Sequence, residues 1–308
     1  MAFDLTGLTA YVDEQREELI ERLVFKGKTL PMLAPLTGVK SATDVHRLND
    51  SVIFADGDSC GFTATGDTTL SKRTLTVGRI KVNKSWCPEE LEAKWTQIRL
   101  RAGSYYDEND LFAEIATAAI NRINSQMETA IWQGDTTSGN QNLLHFDGFL
   151  KLITAGSGYT TATGSGSLAI NDTNIRTIMQ NIYNDIPAEL LDYLDDDLVL
   201  FAGNDTIRTY QIKLANDNLY HYNGEEQDFD LMVENTRLKA TGVPGLNGTN
   251  KIVVARKSNM FFGTDLENDY ENFDLWYSKD DQVIKMASKW KAGVQFGHLE
   301  EVVYFAGA

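Results

Sequence analysis

The sequence predicts an α+β fold that combines one long helix with several separate sheets. Residues 107–133 repeat apolar side chains at steps of three and four, and Gly134 follows their last turn. This spacing is typical of an amphipathic helix, and its length of about seven turns exceeds that of most globular helices. Short apolar runs such as Leu198–Ala202 and Lys251–Arg256 are typical of strands instead. They recur along a chain that has no internal repeat and no sharp linker.

Composition and charge limit what the chain can bind. Its 308 residues suffice for one elaborate domain or for two lobes. Asp and Glu number 44 against 28 Lys and Arg, and the resulting net charge of -16 argues against sequence-specific nucleic-acid binding. No apolar run is long enough for a membrane helix, and the acidic segment Met1–Arg22 lacks a signal-peptide pattern. We therefore expect a protein made in a cytoplasm and no membrane partner.

The N-terminal region combines a predicted helix with an extended arm. Thr9–Phe25 carries an apolar stripe that faces a strongly acidic side, and Lys28–Ser41 contains two of the five prolines. The stripe consists of Val12, Leu19, Ile20 and Leu23. A helix followed by an extended arm cannot bury its own stripe, so it needs the body of the fold or a neighbouring subunit.

A long hairpin is predicted after the arm. Ser51–Ala55 and Arg73–Lys81 are the strand candidates, and residues 56–69 between them are rich in Gly, Thr and Asp. This composition provides little core, so we expect the hairpin to pack on another surface. Pro88–Trp95 then predicts a short helix with acidic residues in its first turn.

The second half of the chain predicts two more helices and a series of strands. Asn171–Leu191 is predicted to be a helix capped at Asp172 or Thr173 and kinked or ended by Pro187. Its inward-facing residues are Ile175, Ile178, Met179 and Ile182. The remaining predictions are a helix over residues 204–214, strands over 232–238 and 259–263, a turn over 242–248, and strands in the last 30 residues.

No motif of a catalytic, cofactor-binding or metal site is present, so we predict no site residues, no cofactor and no enzymatic activity. The sequence lacks the Gly-rich nucleotide loops and the GxSxG nucleophile motif. Histidines occur singly, and the two cysteines form no CxxC pair. These residues are His46, His145, His221, His298, Cys60 and Cys87. Both cysteines are expected to be reduced thiols, and Cys60 in the projecting hairpin could alternatively meet another subunit.

Two acidic clusters are candidates for cation sites. The run Asp192–Asp197 precedes an apolar strand and lacks the alternating ligands and Gly turn of a calcium loop. Asp56 and Asp58 flank a glycine without further ligands. We interpret both clusters as solvated acidic turns, and a hydrolase that uses the Asp192–Asp197 run stays open as an alternative.

The order of these parts resembles the Hong Kong 97 fold of tailed-bacteriophage major capsid proteins. The local match runs from Met127–Asp135, a long-helix ending followed by Gly-Asp, to Asp147–Leu150, where a Gly begins an apolar stretch. The block Leu75–Leu91 is similar to the strand and helix that lead into the long helix of that family. The resemblance covers nearly the whole chain in order.

The resemblance implies a division of the chain into four parts. Residues 1–48 would be the N-terminal arm and residues 49–82 the E-loop hairpin. Residues 83–150 plus 275–308 would form the peripheral P-domain with the spine helix 107–133. Residues 151–274 would form the axial A-domain.

The resemblance also implies a function and partners. The chain would self-assemble as hexamers and pentamers into the icosahedral head that encloses phage DNA, without sequence-specific DNA binding. Scaffolding, portal and decoration proteins would be further partners, and the chain would be assembled in the bacterial cytoplasm and reside in the virion. Some family members begin with a long scaffolding segment, which this chain lacks, so a separate scaffolding protein or none is implied. Lys72 lies near the crosslinking lysine of some members, but no motif marks a partner Asn, and no crosslink is predicted.

Two alternatives stay open besides the hydrolase. An encapsulin-like nanocompartment would use the same fold to hold cargo enzymes in place of DNA. A phage-tail or polysaccharide-binding module would account for the five Trp, the 12 Tyr and the Thr/Gly-rich loops.

Overall fold

The computed structural model describes residues 27–54, 65–87, 108–194, 197–217, 230–265 and 273–308. The predicted helices Thr9–Phe25 and Pro88–Trp95 lie outside these residues, as do Cys60, His221 and the pair Asp56 and Asp58.

Four α-helices lie in the described part of the chain. They are α1 (Glu108–Gln133), α2 (Phe149–Ala155), α3 (Ile175–Asn184) and α4 (Asn204–Asn216). Short 3-10 helices span Leu30–Met32, Ala188–Tyr193, Pro244–Leu246, Lys257–Asn259 and Leu299–Glu301. The long helix predicted over residues 107–133 is thus confirmed, and it ends directly before Gly134.

The described strands form three sheets. They are β1 (Ala34–Leu36), β2 (Ala42–Ser51), β3 (Asp67–Thr76), β4 (Gly78–Trp86), β5 (Thr160–Thr161), β6 (Leu198–Ala202), β7 (Asp230–Met232), β8 (Lys239–Gly242), β9 (Lys251–Arg256), β10 (Met260–Gly263), β11 (Phe273–Ser278), β12 (Val283–Phe296) and β13 (Val303–Ala306). One sheet has the order β1-β10-β12-β11 with β4 also paired to β12, a second has the order β5-β13-β9-β6-β8-β7, and β2 pairs with β3 alone.

The six-stranded sheet is the middle layer of the fold. In β6, Val199 and Phe201 belong to the core formed with α1, α2 and the five-stranded sheet. Leu198, Leu200 and Ala202 belong to a second core, which they form with α3 and α4. Alternate residues of a strand point to opposite faces, so burial of all five residues means that both faces are covered.

A close backbone approach joins the end of α1 to the start of α2. Gly148 N–H donates to the carbonyl of Gly134 at 2.9 Å. A Cβ atom at Gly148 would lie 2.6 Å from the Gly134 nitrogen, and one at Gly134 would lie 2.5 Å from the Phe146 carbonyl oxygen. Both glycines are therefore required by packing at the junction where the Gly-Asp and Asp-Gly sequences meet.

The described start of the arm is held by α1. Thr29 N–H donates to the buried carboxyl of Glu128, and the Trp132 indole donates to the Thr29 hydroxyl at 2.9 Å. Burial raises the pKa of Glu128 above its ordinary value, although backbone N–H groups of Thr29 and Lys28 oppose this rise. The second carboxyl oxygen of Glu128 has no hydrogen-bond partner among the described residues.

The hairpin prediction was right in outline and wrong in its strand boundaries. The first strand runs over β2 and ends at Ser51, so the candidate Ser51–Ala55 lies almost wholly beyond it. The second candidate is divided at Val77, since β3 pairs with β2 whereas β4 pairs with β12. Where the chain changes partner, its backbone at Gly78 passes very close to the backbone at His145. A Cβ at Gly78 would lie 1.9 Å from the His145 carbonyl oxygen.

Other boundaries also needed correction. The helix predicted over Asn171–Leu191 spans only Ile175–Asn184 and ends three residues before Pro187. Neither Asp172 nor Thr173 caps it, and the Asn171 side chain accepts backbone N–H bonds in the turn that precedes it. Its four predicted inward residues are buried. The predicted strand over 232–238 is wrong, because a turn with a left-handed residue at Asn235 separates β7 from β8.

The four-part division implied by the resemblance stays a prediction. Strand pairing crosses its residue boundaries at several places, for example where β1 pairs with β10 and where β5 pairs with β13. β10 pairs with β12 in the five-stranded sheet, and β13 pairs with β9 in the six-stranded sheet.

We expect Gly148→Ala to lower the free energy of unfolding by about 1–3 kcal/mol, since the added methyl forces the α1–α2 junction apart. Gly139→Ala is the matched control, because a Cβ there meets nothing within 4 Å. Urea unfolding followed by circular dichroism measures both variants, and equal midpoints would contradict the packing role of Gly148.

The raised pKa of Glu128 predicts a specific pH dependence. A carboxyl with a raised folded-state pKa binds its proton more tightly in the folded chain, so its ionisation costs stability at neutral pH. The stability of the wild type relative to Glu128→Gln should therefore increase as pH falls from neutral through the raised pKa toward the ordinary value of 4.5.

Glu300→Gln is the control for that measurement, because its effect on stability should change with pH in the opposite direction. Burial would raise the pKa of Glu300, but its own backbone N–H and the Arg47 guanidinium lower it below the ordinary value. The stability of the wild type relative to Glu300→Gln should then decrease as pH falls through that lowered pKa. Parallel pH profiles for the two variants in urea titrations would contradict the assignment at Glu128.

Candidate assembly surface

The hairpin formed by β2 and β3 projects from the body with little core of its own. Its ten residue pairs run from Ala42–Thr76 at the base to Ser51–Asp67 at the outer end, a length of roughly 33 Å. Val39, Leu75 and Val77 form a small buried cluster at the base. Leu75 is the only buried residue of β3, and every strand residue of the hairpin beyond the Arg47–Ser71 pair is exposed.

The outer half of the hairpin exposes apolar side chains. Leu48 and Leu70 are directly paired across the strands and are 65% and 70% exposed. Just beyond Ser51, Phe54 is 97% exposed, and Val52 and Ile53 are also exposed. We call these five residues the outer patch. Large apolar residues grouped on a projecting element mark an interaction surface more often than isolated ones do.

Ion pairs hold the hairpin from its base to its middle and leave the outer patch exposed. Lys72 Nζ lies 2.6 Å from Asp44 across the strands, and Arg47 lies 3.0 Å from Glu300 on the body. The hydrogen bonds from Lys72 and Thr74 lower the pKa of Asp44 below its ordinary value. Lys72 is thus engaged with Asp44 of its own hairpin, and the pairing orients the hairpin without covering the outer patch.

Further exposed apolar residues lie on the six-stranded sheet and its helices. Ile212 of α4 and Met232 of β7 are about half exposed, and they stand on either side of residues 218–229 in the sequence. Because both lie on elements other than β2 and β3, they provide a second candidate contact away from the hairpin.

Of the residues considered for chemistry, His46 and His298 line one pocket together with Glu301, whereas His145 and Cys87 lie elsewhere. No group of three metal-ligating side chains exists within the described ranges. None of the helices in those ranges is long and apolar enough to cross a membrane.

Asp197 corrects the interpretation of the acidic run as a solvated turn. Its carboxylate accepts hydrogen bonds from the Arg256 guanidinium at 2.9 Å and from the backbone N–H and hydroxyl of Ser258. Burial would raise the pKa of Asp197, but these hydrogen bonds lower it below its ordinary value. Arg256 also pairs with Glu301 and lies 4.0 Å over the Tyr193 ring. Asp197 therefore joins β6 to β9, a role that its place in an acidic run does not indicate.

Sequence reasoning predicted the hairpin but missed the outer patch. The available signal was weak: Leu48 and Leu70 are single apolar residues within polar strands, and a strand made of Ala-Thr-Asp-Val-His-Arg-Leu-Asn-Asp-Ser has no clear alternation. Their direct pairing is visible only once the register is known.

Comparison with known proteins gives structural matches only. No family model matches the chain, and no curated protein matches it. Among solved structures, a chain of the satellite phage P4 procapsid that includes the size determination (Sid) protein is similar, with a TM-score of 0.61 and 11% identity over 99% of this chain and 92% of the other.

Two other solved structures show the same similarity. A chain of Gordonia phage Cozz has a TM-score of 0.57 and 10% identity, covering 92% of this chain and 86% of its own. A virus-like particle from Pyrococcus furiosus has a TM-score of 0.53 and 10% identity, covering 95% of this chain and 98% of its own. The predicted fold is thereby confirmed: the chain has the α+β, Hong Kong 97-type fold of phage capsid proteins.

Proposed function

We propose that this chain is a major capsid protein that self-assembles into the icosahedral head of a tailed bacteriophage. The outer patch carries the proposal, because it places five exposed apolar side chains on a hairpin that the body of the same chain does not cover. Burying one such side chain contributes about 1.5–3 kcal/mol, so a neighbouring copy that covered the patch would gain a substantial contact.

The structural matches support assembly into a shell. The similar structures include a procapsid, a virus-like particle and the capsid of an empty GTA particle. In a shell the same hairpin contact would be repeated head to tail around each hexamer and pentamer. The four-part division into arm, E-loop, P-domain and A-domain belongs to this proposal.

The net charge of -16 is consistent with packaged DNA that is enclosed but not bound in a sequence-specific manner. Scaffolding, portal and decoration proteins are proposed partners on the grounds of the fold alone. The chain would then be structural rather than enzymatic, and it would reside in the virion after assembly in the host cytoplasm.

An encapsulin-like shell is the second candidate function. The virus-like particle from Pyrococcus furiosus motivates it, but most of the similar structures are named as phages. Mass spectrometry of the contents of purified particles distinguishes the two, since DNA supports a phage head and a cargo enzyme supports a nanocompartment.

We expect the purified wild-type chain to form shells, tubes or capsomer rings in negative-stain electron microscopy and to sediment accordingly. The double variant Leu48→Asn and Leu70→Asn should raise the concentration needed for assembly at least tenfold, because it removes the paired apolar side chains of the outer patch. Its circular dichroism spectrum should not change, since neither side chain is part of a core.

The matched control is Thr69→Asn with Ser71→Asn, which places the same two residues at exposed positions of the same strand region. If the leucine double variant assembles at the same concentration as the wild type, the outer patch does not contribute to assembly. A wild-type chain that stays monomeric at every concentration and with crowding agents would contradict self-assembly itself.

A further inference from the structure

The turn before β9 places an Asn-Gly pair on the surface. The sequence contains two such pairs, Asn223–Gly224 and Asn247–Gly248, and the second lies within the described residues. Asn247 and Gly248 are both exposed, and no described atom lies within 4 Å of the place that a Cβ at Gly248 would take. Asn-Gly pairs are prone to deamidation, because no side chain on the glycine hinders attack of its backbone nitrogen on the asparagine amide.

The fold uses both residues of this pair. Gly248 has φ 68°, in the left-handed region that favours glycine. The side-chain carbonyl of Asn247 accepts the N–H of Asn204, the first residue of α4, at 2.7 Å. That bond satisfies one of the N–H groups that a helix start leaves without a partner in the helix. The reactive sequence therefore has a structural role at each of its two positions.

Deamidation of such a pair begins with a bond between the Gly248 nitrogen and Cγ of Asn247. The Cγ–Nδ2 bond breaks, and the amide nitrogen leaves as ammonia with the proton that the Gly248 nitrogen gives up. A five-membered succinimide ring remains. Water then opens the ring at either carbonyl, and the product is aspartate or isoaspartate, in which the main chain runs through the former side chain.

The observed backbone keeps the two reacting atoms apart. The ring requires the Gly248 nitrogen to eclipse Cβ of Asn247, which corresponds to ψ of roughly −120°. Asn247 has ψ 133°, so a rotation of roughly 110° must precede attack. That rotation breaks the hydrogen bond from Gly248 N–H to the Asp205 carboxylate, which is 2.9 Å long. It also breaks the bond of 3.2 Å from Thr249 N–H to the Leu246 carbonyl, which closes the turn.

The Asp205 carboxylate also opposes the chemical step. The Gly248 nitrogen becomes a nucleophile by losing its proton, and a carboxylate in contact with it disfavours a second negative charge. The carboxylate is itself held in place, since its other oxygen accepts the N–H of Thr206 at 2.9 Å. A Cβ at Gly203 would lie 2.2 Å from that same oxygen, so the start of α4 packs closely around it.

We propose that Asn247 is a latent deamidation site, which Asp205 keeps closed by holding the Gly248 nitrogen away from the Asn247 amide. Asp205 is in this sense a positioning residue, because it acts on the reacting nitrogen through a hydrogen bond. The inference concerns the folded chain itself and does not depend on the proposed function.

Opening of this site would affect the contact between the turn and α1. The Gln133 side-chain amide donates to the Gly245 carbonyl at 2.7 Å, and a Cβ at Gly245 would lie 2.3 Å from the Glu128 carbonyl oxygen. Isoaspartate at position 247 would lengthen the main chain two residues from this contact. Asp205 thus protects a place where a chemical change would reach the long helix.

The rate of deamidation tests the proposal. The full-length chain and an end-blocked peptide of residues 243–250 are incubated in the same mildly alkaline buffer, and modification of Asn247 is followed by peptide mass spectrometry. We expect the wild type to react about a hundredfold more slowly than the peptide, because two hydrogen bonds must break and each contributes about tenfold. Asp205→Ala should react about tenfold faster than the wild type.

Three variants separate the local hydrogen bond from other effects. Asp205→Asn keeps an acceptor oxygen and should react at a rate closer to that of the wild type than to that of Asp205→Ala. Glu189→Gln removes a carboxylate at another exposed position, and Gly148→Ala lowers stability away from the turn, so both should keep the wild-type rate. Sedimentation ensures that all chains are compared in the same assembly state.

Equal rates in the wild type and the peptide, or in the wild type and Asp205→Ala, would overturn the proposal. Acceleration by Gly148→Ala as large as that by Asp205→Ala would also overturn it, because modification would then follow global unfolding.

Discussion

The packing at the C-terminal end of α1 is the contact on which the rest of the structure depends. Trp132 is fully buried there, with ring centroids 5.4 Å from Phe149 of α2 and 5.3 Å from Phe201 of β6. Its indole also holds Thr29 at the start of the arm. Helix, sheet and arm therefore meet at one side chain, and the glycines at positions 134 and 148 allow the chain to turn closely enough to bring them together.

Burial of the middle sheet on both faces makes the body self-sufficient. β6 and β9 each send alternate residues into two separate cores, so the described body buries its apolar strands without help from another molecule. The hairpin differs from the body, because only the residues at its base belong to a buried core. Residues such as Leu48 and Leu70 can therefore serve contacts between molecules at little cost to folding.

Helices and strands whose apolar residues recur at a regular spacing could be predicted from the sequence. Elements that depend on contacts with residues distant in the sequence could not. The helix ending at Gly134, the strands β6 and β9 and the inward face of α3 follow from periodicity because each has a continuous core to cover. β2 was misplaced because its residues are largely polar and its partner, β3, fixes it through backbone bonds instead. The division at Val77, the structural role of Asp197 and the outer patch all depend on residues distant in sequence, which no local pattern records.

Charge and apolar contacts act at different ranges, and this difference bears on how a shell of such chains could form. Repulsion between acidic surfaces extends over about 8 Å at physiological ionic strength, whereas apolar contact requires the surfaces to touch. Copies that meet at random surfaces would then be repelled, and only those that align the outer patch would gain enough to stay together. Net charge would in this way disfavour wrong contacts and keep each correct contact weak. Because weak contacts form and break repeatedly, wrongly placed copies could leave before the shell closes.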